Sequence, residues 1–565
     1  MTTCLLPPVT GRPGCLLLLL LALLTPAAAL PDSGLSATIH ARLAALRDDH
    51  EVTVDRSTGV LPALYAQRDY TPVWSNPAAV HQLISAIERI DADGLDPADY
   101  NLAALKLLLE RNNETGNANP ERTANLDLLL TDSLIRLCYH LAFGKVDPEE
   151  IDSSWNTTRQ REDLAGLLQH SDAIERGQID GLLESLRPQS HIYRQLREAL
   201  ATYRRYRQLG GWQPVPDGPA LKPGMTDTRV LALRARLVAT DDLSTQDMYL
   251  PTFDDAVEAG VRHFQQRHGL AADGVVGEKT LTELNVPVAV RIAQIRANLE
   301  RARWLLRGLP DTFVMVDIAG FNVRLYRDDA VVWESRAVVG QQERMSPVIR
   351  STLTYLDLNP TWTVPPTVLD EDLLPELRRD PQRLAEKGMQ VIDYQGRPVD
   401  AAGIDWNRYS GHSFPWLIRQ RPGPKNALGR IKFMFPNPYS VYLHDTPSKA
   451  LFARAERAFS SGCIRIEHPY ELAELLLEGN PGWDHGRLMA AVDSLQTRSV
   501  TLQEPVTILL SYWTAAVADD GTVQFNRDIY RRDPAVISGL DAAPRIRERG
   551  ITRPPPEMTA SLQSP

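Results

Sequence analysis

The hydrophobic period of this chain changes near Pro310, and that change constrains the fold more than any other feature. Over 31–211 apolar residues recur at three and four spacing, as at Val80, Leu83, Ile84, Ile87 and Ile90, the pattern of amphipathic helices. The spacing returns over 288–307, where Ile292, Ile295, Leu299, Ala302 and Leu306 share one face and predict a helical strut against one neighbouring domain. After Pro310 the period drops to two, at Phe313, Met315 and Asp317, then Val323 and Leu325, then 331–339 beyond the turn Arg327-Asp328-Asp329. Strand-like runs follow at 352–358, 440–444 and 506–510. A chain of 565 residues exceeds one ordinary core, so separate helical and strand regions predict a multidomain α+β protein.

Punctuation divides it further. A helical scaffold is expected over 30–212, without a catalytic constellation. Asp91-Ala92-Asp93-Gly94 looks like the start of a calcium loop, but its Gly comes two positions too early and the twelfth-position Glu is missing, so it reads as a turn. A Pro- and Gly-rich linker from 213 opens a module ending at 287, with three helical patterns (230–238, 254–268, 279–284) and the turn Asp273-Gly274-Val275-Val276-Gly277. A connecting helix (288–310) leads to a mainly-β domain (311–515). Within it, 370–430 is long, polar and broken by Pro and Gly, and reads as a capping or lid subdomain. A C-terminal extension (516–542) and a tail (543–565) close the chain; Pro554-Pro555-Pro556 and few large apolar residues mark the tail as disordered.

Residues 1–29 read as a signal peptide: Arg12, an apolar run over 15–24, then Ala27-Ala28-Ala29. The run is short for a membrane span, so at most a peripheral membrane association follows; whether the signal is cleaved or retained as an anchor stays open. With 43% apolar and 23% charged residues the chain is neither disordered nor fibrous, and a net charge of −10 argues against a nucleic-acid partner. Removing the leader removes Cys4 and Cys15, leaving Cys138 and Cys463, too few for a disulfide framework. Cys138 falls in a helical stretch and reads as a small buried apolar group. Cys463 falls in the polar turn Ser460-Ser461-Gly462-Cys463, where reactive groups are commonly displayed.

Nineteen positions before Cys463 stands His444, in Tyr442-Leu443-His444-Asp445-Thr446-Pro447. An imidazole can take a thiol proton, or stabilise the sulfur anion as imidazolium, so Cys463 as nucleophile and His444 as general base and acid suffice for acyl transfer. In a strand, Tyr442 and His444 face one side and Asp445 the other, making Asp445 a poor orienter; a backbone carbonyl, Ser460 or Ser461 fits that task better. The amides of Gly462 and Cys463 are candidate oxyanion donors. Arg465 suits either a substrate carboxylate or an ion pair fixing the turn, and Tyr442 either touches substrate or walls the pocket. Trp362 and Trp416 read as packing residues. No zinc pattern and no Gly-rich nucleotide loop occurs, so neither metal nor cofactor is expected.

The His segment and the Ser-Ser-Gly-Cys-Ile-Arg turn together resemble the catalytic domain of the L,D-transpeptidase (YkuD) family. The resemblance extends to Asn359-Pro360-Thr361-Trp362 and to 423–430 leading into Lys432-Phe433, and 264–277 resembles a peptidoglycan-binding domain. The whole chain is similar to the large YcbB-type Gram-negative members. It departs from many smaller members at Ser461, where they carry a second His. The resemblance implies a periplasmic enzyme acting on peptidoglycan stem peptides and glycan beside other wall-synthesis enzymes. In such an enzyme the Cys463 thiolate attacks a donor tetrapeptide, releases D-alanine, and passes the acyl group to a diaminopimelate amine as a 3→3 cross-link. Transfer to water (an L,D-carboxypeptidase), transfer to a lipoprotein Lys, a non-catalytic wall-binding scaffold and a papain-like protease are the alternatives. Papain-like enzymes place the nucleophile upstream of its His, opposite to the order here.

Overall fold

The structure, a computed structural model, describes residues 33–48, 60–114, 119–152, 155, 172–244 and 248–542. The expected signal peptide and tail lie outside them. No helix among the described residues is long and apolar enough to cross a membrane.

The N-terminal helices pack around Pro120–Phe143, which is buried along most of its length. Asn119 starts this helix by accepting hydrogen bonds from the amides of Glu121 and Arg122, with Pro120 in the first turn, and Gly144 (φ 86°) ends it. Cys138 is fully buried in this core, and burial pushes its thiol up, so it is no nucleophile. The Asp91 segment is a 3₁₀ turn closed by Gly94 (φ 77°), and its buried Asp93 carboxylate is bound by Arg187, Arg197 and Tyr193.

Three helices, Arg229–Val238, Asp255–Arg267 and Glu278–Leu284, enclose a small separate core of Val230, Leu233, Val261, Phe264 and Leu284. Buried Gln265 fixes the following turn: its amide accepts from Gly274 N (2.9 Å) and donates to Asp273 (2.9 Å) and to the Val275 carbonyl (3.0 Å).

The helix Val288–Leu305 differs from the expected one-sided strut. Its polar side is buried too, including Arg291, Asn298, Glu300, Arg301 and Arg303, because scaffold and β domain both close over it. The cations survive burial by pairing within about one carboxylate's reach: Arg303 with Glu300, Arg301 with Asp533 and Arg291 with Glu283, each at 2.6 Å.

The β domain begins with β1 (Thr312–Asp317), β2 (Asn322–Arg327), β3 (Ala330–Gly340) and β4 (Ile349–Leu358). The chain then leaves for a cap of β5 (Trp362–Thr363), β6 (Met389–Ile392), β7 (Pro398–Val399) and β8 (Leu417–Gln420). It returns as β9 (Ile431–Met434), β10 (Leu443–His444), β11 (Ala458–Ser460), β12 (Ile464–Ile466) and β13 (Arg498–Ser511). The main sheet runs β11-β3-β12-β10-β9-β4-β13-β1-β2, and β2 also pairs with β3, so the sheet closes on itself. The cap is inserted where Leu358 pairs Ile431 and has its own core of Leu369, Leu374, Leu377, Trp406, Phe414 and Ile418, so it is a packed unit and not a polar loop. Beyond β13, a hairpin of β14 (Ala515–Val517) and β15 (Val523–Phe525) and the helix Asp533–Asp541 pack back on the sheet and the buried helix.

Two strands are misjudged by periodicity. The expected strand at 440–444 contracts to Leu443–His444, because Ser440 adopts φ 53°, and Asn437 Oδ1 accepts from the amides of Tyr439 and Val441 to form a turn. The run at 506–510 is part of a 14-residue strand whose register breaks between Thr501 and Val506; Pro505 cannot donate to a ladder.

Candidate active site

Strand register sets one polar row across the sheet. Asp357 of β4 pairs with Lys432 of β9, Lys432 with His444 of β10, and His444 with Arg465 of β12. Directly opposed residues on neighbouring strands project to one face, so the four side chains share a surface. The parallel β10–β12 pairing also brings Cys463, one residue before β12, beside the strand of His444; Ile464 N donates to the Tyr442 carbonyl at 3.1 Å.

His444 is buried, and its Nδ1–H donates to the Asp445 carbonyl at 2.5 Å. A carbonyl accepts only, so this bond fixes the proton on Nδ1 and leaves the Nε2 lone pair for a base. Burial first, then the charges of Arg465 and Lys432, push the imidazole down to about 3, so it is neutral at physiological pH. The Asp445 carboxylate is turned away: it accepts from the Arg430 amide (2.9 Å) and from Lys449 Nζ (2.8 Å). Gly429 (φ 62°) permits this, since a Cβ there would collide with that carboxylate.

The turn carrying Cys463 is held from three sides. Ser460 Oγ accepts from Gly462 N (3.1 Å) and donates to the Cys463 carbonyl (2.5 Å). Ser346 Oγ donates to the Gly462 carbonyl at 2.7 Å, and Arg344 Nη1 donates to Ser461 Oγ at 2.6 Å. Gly462 sits at φ 107°, a conformation side chains disfavour. Of the partners expected for the His444 ring, the backbone carbonyl is the one present. Ser460 and Ser461 brace the turn and do not orient His444. The Gly462 amide, expected as an oxyanion donor, is instead engaged by Ser460 Oγ, while the Cys463 amide has no acceptor among the described residues. Cys463 itself is partly exposed, with Sγ 3.9 Å from the Ser440 carbonyl. Burial raises its thiol, against the opposing pull of the Tyr442 amide and hydroxyl and of Lys432 and Arg465. The resting pair is therefore a thiol beside a neutral imidazole.

Tyr442 packs its ring 5.6 Å from the His444 ring, and burial first, then the neighbouring Cys463, raises its hydroxyl. Arg465 forms no ion pair among the described residues, and its buried Nε lacks a hydrogen-bond partner, so the turn-fixing ion pair is not found. Trp362 and Trp416 pack in the cap, with Trp362 also reaching the site through Tyr442.

Sequence reasoning named Lys432 only within the family resemblance, with no role, and passed over Arg344 and Ser346. Lys432 lies two residues after the quoted 423–430 segment and gave a signal. Arg344 and Ser346 lie more than a hundred residues from Cys463 and gave none. Arg344 also binds Asp372 (2.8 and 2.9 Å) and Glu371 (3.0 Å), tying the cap to the Cys463 turn.

Residues 311–483 match the L,D-transpeptidase catalytic domain (YkuD), 226–284 the family described as "Putative peptidoglycan binding domain", and 59–200 a scaffold domain. A "Putative L,D-transpeptidase" of Haemophilus influenzae is 27% identical over 477 residues, covering 84% of this chain and 78% of its own. The N-acetylmuramoyl-L-alanine amidase CwlM of Mycobacterium tuberculosis is 40% identical over 76 residues, 12% of this chain and 19% of its own. Among solved structures, the L,D-transpeptidase (residues 123–326) of Xylanimonas cellulosilytica is 16% identical and covers 53% of this chain and all of its own, at a TM-score of 0.17.

Proposed function

We propose that this chain, which carries a YkuD-type L,D-transpeptidase catalytic domain and a peptidoglycan-binding domain, cross-links peptidoglycan stem peptides through Cys463. The observation that carries the reading is the β10–β12 pairing, which sets the Cys463 turn beside a His444 whose proton is fixed on Nδ1.

The reaction begins from the neutral pair. His444 Nε2 takes the thiol proton as Cys463 Sγ attacks the carbonyl of the third residue of a donor tetrapeptide. The Cys463 amide faces the oxyanion; a donor of this kind lowers such barriers by roughly 3 kcal/mol. Collapse of the tetrahedral species breaks the peptide bond, and the imidazolium returns its proton to the departing D-alanine amine. A diaminopimelate amine of a second stem then attacks the thioester carbonyl and passes its proton to His444; the C–S bond breaks, the departing sulfur takes that proton back, and a 3→3 cross-link forms with the thiol restored. Water or a lipoprotein Lys in the acceptor position would yield a carboxypeptidase or an anchoring reaction from the same intermediate.

Export to the periplasm fits this substrate, and the division of labour follows: 30–212 as scaffold, 213–287 to hold glycan, 288–310 as connector, 311–515 for chemistry under the 370–430 cap, with 516–542 bracing it. The test incubates purified protein with disaccharide-tetrapeptide and follows it by mass spectrometry. A thioester on Cys463, free D-alanine and a cross-linked dimer are expected, and none of the three with Cys463→Ala. A dimer formed by Cys463→Ala protein would remove the assignment. Carbapenem should acylate the same sulfur.

A further inference from the structure

Lys432 and Arg465 stand on the two strands that flank His444, on its face of the sheet. Lys432 rests its ammonium 3.9 Å from the centroid of the Tyr442 ring, and Arg465 has an unpartnered buried Nε. Neither cation has a carboxylate within ion-pair distance among the described residues. The nearest acid in the row, Asp357, accepts instead from Ser499 Oγ at 2.5 Å. Two half-buried cations without a paired anion are costly, since each loses hydration and the Tyr442 ring face offsets that only in part and only for Lys432, and they persist where a bound anion completes them. Their combined positive charge surrounds the thiol and base and not a remote surface.

Resting on the acyl-transfer reading above, the chemistry specifies the anion. A donor that ends one residue past the scissile carbonyl carries its free carboxylate within about 4 Å of that carbonyl, one residue's span of chain. We infer that Lys432, with Arg465, binds the free C-terminal carboxylate of the donor's departing residue, so that the site selects peptides ending one residue past the bond it breaks. A longer donor would place a neutral amide where the carboxylate belongs, leaving both cations uncompensated. The carboxylate leaves with the released amino acid, so the cradle empties once the thioester forms. Lys432 therefore serves the first half-reaction and not the second.

The experiment compares release of the terminal residue from a tetrapeptide and from the same peptide as its C-terminal amide, with wild type, Lys432→Met and Lys432→Arg. Wild type is expected to favour the free acid by about tenfold or more in kcat/KM, the range of a charge-assisted pair. Lys432→Met should lose about that factor more on the acid than on the amide, since any effect through the thiol or His444 falls on both peptides, and Lys432→Arg should recover part of the preference. Thiol alkylation against pH should be shifted far less than acid turnover. Equal losses on acid and amide, or a wild type indifferent to the amide, would assign Lys432 to thiolate stabilisation and overturn the inference while leaving the acyl-transfer reading in place. Wild type inert to both peptides would bring down that reading and this inference with it.

Discussion

The buried helix Val288–Leu305 and the polar row on the sheet both take cations out of water, and they do it in opposite ways. On the helix each buried guanidinium meets a carboxylate at 2.6 Å: Arg303 with Glu300, Arg301 with Asp533, Arg291 with Glu283. On the row, Lys432 and Arg465 have no such partner among the described residues, and both are pushed down by burial. Completed charge belongs to architecture, and incomplete charge marks a place where something else must bind. The contrast also bears on the base proposed above: His444 is held neutral by burial and by these two cations, while its Nδ1 proton is fixed to a carbonyl.

The largest expected effect tests that base. His444→Gln should lower turnover by about three orders of magnitude, within the range for loss of a general base, measured as D-alanine release. The same variant reports on stability. The folded-state value of about 3 lies below the unfolded value near 6.5, so the unfolded chain binds the proton first as pH falls. The cost appears as pH drops below about 6.5 and levels off below about 3. It should reach about 2 kcal/mol by pH 5 in denaturant unfolding, and His444→Gln should lack that component.

Next come the paired and unpaired cations themselves. Arg303→Met should destabilise the protein by about 3–5 kcal/mol, because Glu300 is left buried and uncompensated. Arg465→Met should cost little in the same unfolding assay and lose activity instead. If both variants behaved alike, the contrast between the two regions would fail.

Arg344 gives a smaller effect. Its ties to Asp372 and Ser461 join cap and Cys463 turn, but Asp372 is half exposed, so the Arg344–Asp372 coupling should be about 0.5–1 kcal/mol in a double-mutant cycle on kcat/KM. The smallest belongs to Asp445→Asn. Because this carboxylate faces Lys449 and the Arg430 amide, turnover should fall only a few-fold, whereas an Asp that oriented the ring would cost about 10⁴.

What could be read from the sequence was local. Leu83 and Ile87 announce a helix face, Asp273-Gly274 announces a turn, and the Gly462-Cys463 pair announces a displayed thiol, since each signal lies within a few positions of its consequence. The row Asp357–Lys432–His444–Arg465 was not legible, because it exists only after three strand pairings made across up to seventy-odd positions of chain. The buried side of Val288–Leu305 was missed for a related reason: its arginines look solvent-facing until their acids arrive, Asp533 from far along the chain. Ser440 ended its strand early through a left-handed backbone that alternation cannot reveal.

Tyr530 has a consequence for anyone trimming this protein. Its hydroxyl donates to the Gly340 carbonyl (2.5 Å) and accepts from Ser346 N (3.1 Å), and Ser346 in turn grips the carbonyl of Gly462. A fragment stopping where the recognisable catalytic module stops would keep every reacting atom yet lack the wedge that seats them. Minimal versions made for screening or crystallisation should therefore run through the last helix, and a shorter one that binds inhibitor poorly would be reporting on its missing end more than on its chemistry.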